Sequence, residues 1–191
     1  MKIVVATSNQ GKVREIKKIF SDMEIVSMKE EGIDIEIEEN GNTFSENALI
    51  KARAIVNLCN CPVLSDDSGL CVDALGGAPG IYSARYAGEN KTDEERYQKL
   101  LEEMKNETNR NAKFVSAVAL VFPDGKEIVC EGEVLGKLDY EPKGSNGFGY
   151  DPIFISDELA KTFGEATDEE KNTISHRKRA LMKVYEIIKE K

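Results

Sequence analysis

The chain opens with KIVVATSNQGKVREIKKIF over residues 2–20, and this stretch indicates the class of fold. Lys2 to Ala6 is a short run rich in β-branched residues, which is typical of a buried strand. Thr7 to Lys12 holds the small polar residues and the glycine of a turn. Apolar residues then recur at positions 13, 16, 19 and 20, the spacing of one helix face. The order of strand, polar loop and helix predicts an α/β protein.

Strands and helices continue to alternate along the rest of the chain. We expect strands at 24–28, 62–65, 114–122 and 127–134, the strand at 62–65 ending in the polar sequence 66–69. Thr43 and Thr92 each precede a glutamate by three residues, the spacing of a capping box at the start of a helix. Further helices are expected after Thr167 and from His176. Asp124-Gly125 signals a hairpin, so the sequence predicts an α/β fold with a central mixed β-sheet flanked by helices, in a single domain over 1–191.

The composition of the 191 residues suits a globular protein with a sizeable core, because 40% are hydrophobic and 32% are charged. The 26 Lys and Arg residues against 35 Asp and Glu residues give a net charge of −9, which argues against a nucleic-acid-binding module. No apolar run approaches the roughly 20 residues needed to cross a bilayer. The N-terminal apolar run is too short for a secretory signal, so we expect a cytoplasmic protein without a membrane partner.

The four cysteines are Cys59, Cys61, Cys71 and Cys130. In a cytoplasmic protein they are expected to be reduced thiols. Zinc sites usually combine two closely spaced cysteine pairs, and no second pair accompanies Cys59 and Cys61. We therefore interpret the cysteines as small buried hydrophobic residues rather than as metal ligands.

The polar loop from Thr7 to Lys12 lies between a strand and a helix. The free N–H groups at a helix N-terminus can hold an anion, and a lysine in the first turn opposes the helix dipole unless an anion binds there. The loop is not a Walker A motif, which requires Gly-x4-Gly-Lys-Ser/Thr. A phosphate site and a simple capping turn with a solvated Lys12 both remain open from spacing alone.

The second polar segment is Asp66-Asp67-Ser68-Gly69, placed directly after an apolar strand. Two adjacent carboxylates repel each other, so the pair favours a cation nearby, and oxygen ligands at a phosphate site suggest Mg²⁺. An acidic patch at Glu36, Glu38 and Glu39 offers a further ligand. The alternative is an acidic surface turn exposed to solvent.

The third group lies towards the C-terminus and combines Phe148-Gly149-Tyr150-Asp151, Lys171 and Ser175-His176-Arg177. An aromatic ring in a glycine-rich loop can stack on a nucleobase, and charged side chains can bind the polar edge of that base. The alternatives are a structural histidine and a solvated basic helix face.

These motifs occur in one order along the chain: TSNQGK at 7–12, DDSGL at 66–70, GGAPGIYSAR at 76–85, GFGYDP at 147–152 and SHR at 175–177. The pattern closely resembles the inosine triphosphate pyrophosphatase family, also called dITP/XTP pyrophosphatases, over essentially the whole chain. Ser8 and Ser145-Asn146 depart from the residues that many members carry there, and both changes keep small polar residues in loops.

The resemblance implies an enzyme that hydrolyses the noncanonical purine nucleotides ITP, dITP and XTP to the monophosphate and pyrophosphate. It also implies an elongated fold of two lobes with a nucleotide cleft between them, a homodimer and a requirement for Mg²⁺. A related pyrophosphatase with another base preference and a nucleotide-binding protein without hydrolysis remain the alternatives.

The same resemblance implies roles for individual residues. Asp67 would be the catalytic carboxylate and would bind Mg²⁺ together with Glu39, although Glu38 remains possible for the second ligand. Phe148 would stack on the purine. The other substrate-binding residues implied are Thr7, Ser8, Asn9, Gln10, Gly11, Lys12 and Ser68 around the phosphates, and Gly149, Tyr150, Asp151, Lys171, His176 and Arg177 around the base.

Purine discrimination follows from hydrogen bonding. Hypoxanthine and xanthine present a 6-oxo acceptor where adenine presents a 6-amino donor. Fixed donors at that edge would reject adenine, because buried groups would be left unpaired. Guanine also carries a 6-oxo group, so its rejection must involve the 2-position.

Overall fold

The six strands of the sheet follow the order β2-β1-β3-β4-β5-β6 in this computed structural model, which describes residues 1–7 and 9–190. Their bounds are β1 (Lys2–Val5), β2 (Glu24–Ser27), β3 (Val63–Val72), β4 (Asn111–Val121), β5 (Glu127–Leu138) and β6 (Phe154–Ser156). β1 pairs in parallel with β2 and β3, whereas β5 and β6 are antiparallel. The predicted mixed sheet is therefore confirmed.

The helices begin close to the predicted positions. They are α1 (Gln10–Ile19), α2 (Phe44–Cys59), α3 (Asp93–Glu103), α4 (Asp168–Ile174) and α5 (His176–Lys189), with 3₁₀ turns at Asp73–Leu75, Gly80–Arg85 and Asp151–Ile153. Within the described ranges, none of the helices has both the length and the apolar character that a membrane span needs. β6 was not predicted, because three residues are too few to show a period of two.

β3 corrects the expectation that a strand ends at Ser65 and a polar loop follows. The strand continues to Val72, so the two aspartates lie within it. β1 pairs with β3 at Val63 and Leu64, and β3 is also the neighbour of β4 in the sheet. Charged residues are tolerated inside this strand because cationic side chains neutralise them, which a one-dimensional pattern does not reveal.

Threonines cap three of the helices. Thr92 and Glu95 form a complete capping box at α3, as predicted, and Thr167 and Glu170 form another at α4. At α2 only half of the predicted box forms. Thr43 accepts a hydrogen bond from the Glu46 N–H, but the Glu46 carboxylate accepts from the N–H of Asn42, one residue before the cap.

The chain divides into two compact units. The first unit comprises residues 1–67, 116–132 and 177–191, and the second comprises 68–115 and 133–176. The expectation of a single domain over 1–191 stays a prediction. Each unit has its own hydrophobic core.

The core of the first unit shows the alternation expected of buried strands. Leu64 packs with residues of α1 and α5, including Ile16 and Leu181. Val63, the preceding residue, packs instead with Ala52 and Ile55 of α2. Because successive side chains of a strand point to opposite faces, α1 and α5 cover one face and α2 covers the other.

The core of the second unit combines aliphatic residues with a group of packed aromatic rings. The centroid of the Phe114 ring lies 4.6 Å from that of Phe154 and 5.8 Å from that of Phe163. Leu100 and Met104 of the α3 region are fully buried against this group. The four cysteines are free thiols, each partly rather than fully buried, so the expected burial is met only in part.

We predict that Gly136→Ala destabilises the second unit, because a Cβ there would lie 2.1 Å from the Ile155 carbonyl oxygen and 2.7 Å from Phe154 Cζ. Relieving such overpacking costs about 1–3 kcal/mol of unfolding free energy. Urea unfolding followed by circular dichroism measures the loss. Lys137→Ala, at the exposed neighbouring position, is the control, and an equal loss in both variants would contradict the prediction.

Candidate functional site

The N-terminus of α1 is capped by Asn9. Asn9 Oδ1 accepts hydrogen bonds from the N–H groups of Gly11 (2.9 Å) and Lys12 (3.2 Å), and Thr7 Oγ1 accepts from the Asn9 N–H (3.1 Å). The first turn contains no acidic residue, so the positive end of the helix dipole is not compensated there. Gln10 and Gly11 are exposed in that turn. Ser8, also predicted to bind phosphate, lies outside the described residues.

Alternation along β3 separates the two aspartates that the sequence presents as a pair. Asp66 points to the same face as Leu64, towards α1 and α5, while Asp67 points to the face of Ser65, towards α2. The two carboxylates therefore form their ion pairs with different helices: Asp66 with α1 and α5, and Asp67 with α2.

Asp66 is buried and joins two cations. Its Oδ1 lies 3.0 Å from Lys12 Nζ, and its Oδ2 accepts a hydrogen bond from Arg177 Nε at 3.0 Å. Arg177 also contacts Glu15 at 3.2 Å. Burial alone would raise the pKa of Asp66, but the charges of Lys12 and Arg177 hold it far below its ordinary value. Burial also lowers the pKa of Lys12, although Asp66 opposes that shift.

Asp67 has different surroundings. Lys51 Nζ lies 3.6 Å from Asp67 Oδ1 and 3.1 Å from Glu39 Oε2, so one ammonium group bridges the two carboxylates. Asp67 Oδ2 is buried and has no hydrogen-bond partner. Burial raises the pKa of Asp67 and Glu39 adds to this, while Lys51 and Asn47 oppose the shift.

The surroundings of Asp67 fit a magnesium ion. The described residues include no cluster of three acidic, cysteine or histidine side chains suited to a metal, but Mg²⁺ usually keeps several waters and takes only one or two carboxylates besides substrate phosphates. Glu39 and Asp67 supply two carboxylates, and the buried Asp67 Oδ2 lacks a partner. The sequence left both Glu38 and Glu39 as candidates for the second metal ligand. Glu39 forms an ion pair with Lys51, whereas Glu38 is exposed.

Lys51 and Asn47 were not identified from the sequence as site residues. They lie four residues apart in α2, so they share one face of that helix. Asn47 is fully buried, and its Oδ1 accepts a hydrogen bond from the Gly41 N–H at 2.8 Å, which ties the acidic segment to α2. An asparagine one turn before a lysine was the available sequence signal, but such a pair is common on helices that bind nothing.

The residues predicted for the base lie in the second unit, apart from Arg177. Phe148 is 58% exposed, and Lys171 Nζ lies 4.7 Å from the centroid of its ring. The same ammonium group bonds Asp151 Oδ2 at 2.5 Å. Phe148, Asp151 and Lys171 therefore form one contiguous group, in which an exposed ring stands beside a buried ion pair.

Three further predicted residues are buried or half-buried. Tyr150 is buried, and its hydroxyl donates to the Ser83 carbonyl oxygen at 2.7 Å, while burial raises its pKa. The His176 ring is buried and stacks on Phe114 at 5.0 Å between centroids. Ser68 is half-buried in β3. The arrangement does not bring the Tyr150 hydroxyl to the Phe148 group, because that hydroxyl is directed into the core.

Arg177 belongs to the first unit, with Asp66 and Glu15 as its contacts. The sequence-based expectation grouped it with the residues around the base, since it follows His176 directly. Its role in binding a nucleobase stays a prediction. The contact that the structure shows is the buried ion pair with Asp66 of β3.

Comparisons with known proteins show the family to which the chain is similar. The model of the Ham1 family matches residues 3–187. A dITP/XTP pyrophosphatase from Clostridium tetani is 48% identical over 192 residues, covering 98% of this chain and 96% of that protein.

Solved structures are similar over the same length. The Ham1 protein of Staphylococcus aureus has a TM-score of 0.94 and 44% identity, and covers 99% of this chain and 98% of its own. A nucleoside-triphosphatase/dITP/XTP pyrophosphatase from Mycobacterium abscessus has a TM-score of 0.83 and 43% identity, covering 96% of this chain and 98% of its own.

We predict that Asp66→Asn lowers the free energy of unfolding by about 3–5 kcal/mol, because Lys12 and Arg177 lose their shared buried counter-ion. Thermal and urea unfolding measure the loss. Asp22→Asn is the matched control, since it removes an exposed carboxylate paired with Lys189 and should change stability only slightly. Equal effects of the two substitutions would contradict the prediction.

Proposed function

Because the chain belongs to the Ham1 family, we propose that it hydrolyses the noncanonical purine nucleotides ITP, dITP and XTP to the nucleoside monophosphate and pyrophosphate. The structural observation that carries this assignment is the carboxylate of Asp67, which is held opposite Glu39 by Lys51 and keeps one buried oxygen without a partner. The names of the relatives in Clostridium tetani and Mycobacterium abscessus support the substrate class.

The phosphate chain is assigned to the loop before α1. Lys12 supplies positive charge, and the Asn9 amide NH₂ can donate to a phosphate oxygen while its Oδ1 caps the helix. Thr7 orders the loop through the Asn9 N–H. Contacts of Ser8, Gln10, Gly11 and Ser68 with the phosphates are part of the same proposal.

Charge balance explains why a divalent cation would be needed. The first unit brings together three cations, Lys12, Lys51 and Arg177, and the four carboxylates of Glu15, Glu39, Asp66 and Asp67. This set carries no surplus of positive charge for a triphosphate. Glu39 and Asp67 would hold Mg²⁺, which supplies charge that stabilises the phosphate oxygens during hydrolysis.

Asp67 has the properties of a catalytic base. Burial and the neighbouring Glu39 carboxylate raise the pKa of Asp67, and a carboxylate in this position can act as a general base towards water. It would orient the attacking water and accept its proton as the bond between the α- and β-phosphates breaks. Lys51, between the two carboxylates, keeps Glu39 and Asp67 at a fixed separation.

The nucleobase of the substrate is assigned to the residues around Phe148. Its exposed ring offers a face for stacking on a purine. Lys171 is only a hydrogen-bond donor, so it suits the 6-oxo acceptor of hypoxanthine or xanthine and disfavours the 6-amino group of adenine. Asp151 holds that ammonium group in place. His176 and Arg177 remain proposed contributors to base recognition.

Pyrophosphate release from a panel of nucleotides, with and without Mg²⁺, tests the assignment. Hydrolysis of ITP, dITP and XTP in preference to ATP and GTP would support it. Preference for a pyrimidine nucleotide would favour a related pyrophosphatase, and tight binding without release would favour a non-hydrolysing protein. A homodimer, a cytoplasmic location and a cleft between two lobes also stay proposals, and light scattering in solution would test the first.

We predict that Asp67→Asn lowers kcat for ITP by at least about 10²-fold while nucleotide binding persists, because the swap keeps the shape but removes the charge. Steady-state pyrophosphate release and calorimetric binding measure the two effects. Glu39→Gln should also impair turnover, whereas Glu38→Gln, at the exposed neighbouring residue, should not. Near-normal turnover in folded Asp67→Asn would overturn the catalytic assignment.

We also predict that Lys12→Ala weakens binding of ITP far more than binding of IMP, because the ammonium charge serves the phosphate chain. Loss of one charge-assisted hydrogen bond corresponds to about 10- to 150-fold in affinity. Lys17→Ala, on an exposed turn of the same helix, is the control. An equal loss for ITP and IMP would assign Lys12 to the structure of the loop alone.

A further inference from the structure

The position of the Phe148 ring depends on its backbone rather than on packing. The ring is 58% exposed, and its described ring contact is the ammonium group of Lys171. A side chain with few neighbours keeps its direction only if its Cα–Cβ bond is fixed by the main chain. What fixes the main chain at residues 147–150 therefore determines where a stacked base would lie.

Two carboxylates hold the two peptide groups that flank the Phe148 Cα. The Phe148 N–H donates to Asp151 Oδ2 at 2.9 Å, and the Gly149 N–H donates to Asp93 Oδ2 at 2.7 Å. Fixing both peptide planes restrains φ and ψ of Phe148 together. The φ of +62° at Gly149 favours glycine there, so the turn itself adopts this path readily.

Asp93 is itself rigidly placed. It is the first residue of α3, directly after Thr92, whose capping box with Glu95 is complete. Its Oδ1 accepts a hydrogen bond from Arg96 Nη1 at 2.7 Å, so each of its two oxygens has a separate partner. The carboxylate links the first turn of α3 to a loop that lies 56 residues later in the chain.

We propose that Asp93 is a positioning residue for purine recognition, which orients the Phe148 ring by anchoring the Gly149 N–H. This inference rests on the proposed function, since it assumes that Phe148 stacks on the base. It adds a residue of α3 to the determinants of base affinity, although Asp93 touches neither the base nor the phosphates in this role. Arg96 contributes by holding the Asp93 carboxylate in the required rotamer.

A general effect of acidic residues at a helix start does not account for the contact. Asp93, Glu94 and Glu95 all lie in the first turn of α3 and all favour the helix dipole. Glu95 is engaged in the capping box, and Glu94 is exposed. Among these three, the described hydrogen bond to Gly149 belongs to Asp93, so Glu94 provides a matched control for charge and helix position.

The experiment compares Asp93→Ala with Glu94→Ala in the full chain. In Asp93→Ala we expect KM for ITP to rise roughly tenfold with kcat within about twofold, because base placement is lost while the Asp67 group is intact. Affinity for IMP should fall by a similar factor, and inhibition by inorganic tripolyphosphate should not change. Asp93→Asn, which keeps an acceptor for the Gly149 N–H, should restore most of the affinity.

Two further measurements separate positioning from a loss of fold. Amide hydrogen exchange at Gly149 should accelerate in Asp93→Ala and not in Glu94→Ala. In a Phe148→Ala background, Asp93→Ala should have no additional effect on KM, because the ring that it orients is absent. Unchanged KM and IMP affinity in a folded Asp93→Ala protein, or full additivity with Phe148→Ala, would overturn the inference.

Failure of the proposed function would give a different result. If the unaltered protein releases pyrophosphate from no purine nucleotide, the proposed activity is wrong. Calorimetric binding of IMP to the unaltered protein and to the Asp93 variants then decides the inference alone. Loss of IMP affinity in Asp93→Ala supports the positioning role, and equal affinity in both proteins overturns it.

Discussion

The first unit depends on the buried ion pairs that the Asp66 carboxylate forms with Lys12 and Arg177. This carboxylate is the shared counter-ion of Lys12 in α1 and Arg177 in α5, so one side chain of β3 joins two helices. Removing either cation would leave a buried charge incompletely compensated, which is far more costly than breaking an exposed ion pair. The loop proposed to bind phosphate is anchored by this contact, since Lys12 lies in the first turn of the helix that the loop precedes.

The alternation of β3 gives the neighbouring aspartate a different role. Asp66 is neutralised by two cations and is structural, whereas Asp67 faces α2, shares Lys51 with Glu39 and retains a buried oxygen without a partner. The pKa of Asp66 is therefore lowered from the ordinary value of an aspartate, whereas the pKa of Asp67 is raised. The physical cause is the number and distance of the cations on each face of the strand.

The second unit holds the exposed ring of Phe148 in a defined orientation. Phe114, Phe154 and Phe163 are packed in its core and contact one another. Phe148 is exposed and is held through backbone N–H groups and the Lys171 ammonium group. Hydrogen bonds to carboxylates replace packing as the source of rigidity at this position.

The sequence alone determined the features that depend on neighbouring residues: the opening strand, loop and helix, the capping box at Thr92, the helix that starts after Thr167, and the motifs that resemble the pyrophosphatase family. These follow from periodicity and from hydrogen bonds over three or four residues. Only the tertiary structure decided that β3 runs on through its aspartates, that Arg177 binds Asp66, that Lys51 bridges Glu39 and Asp67, and that Asp93 anchors Gly149. Such pairings join residues 12 to 111 positions apart. They leave no local pattern, because the partner of a charged side chain is chosen by which helix face covers which face of the strand.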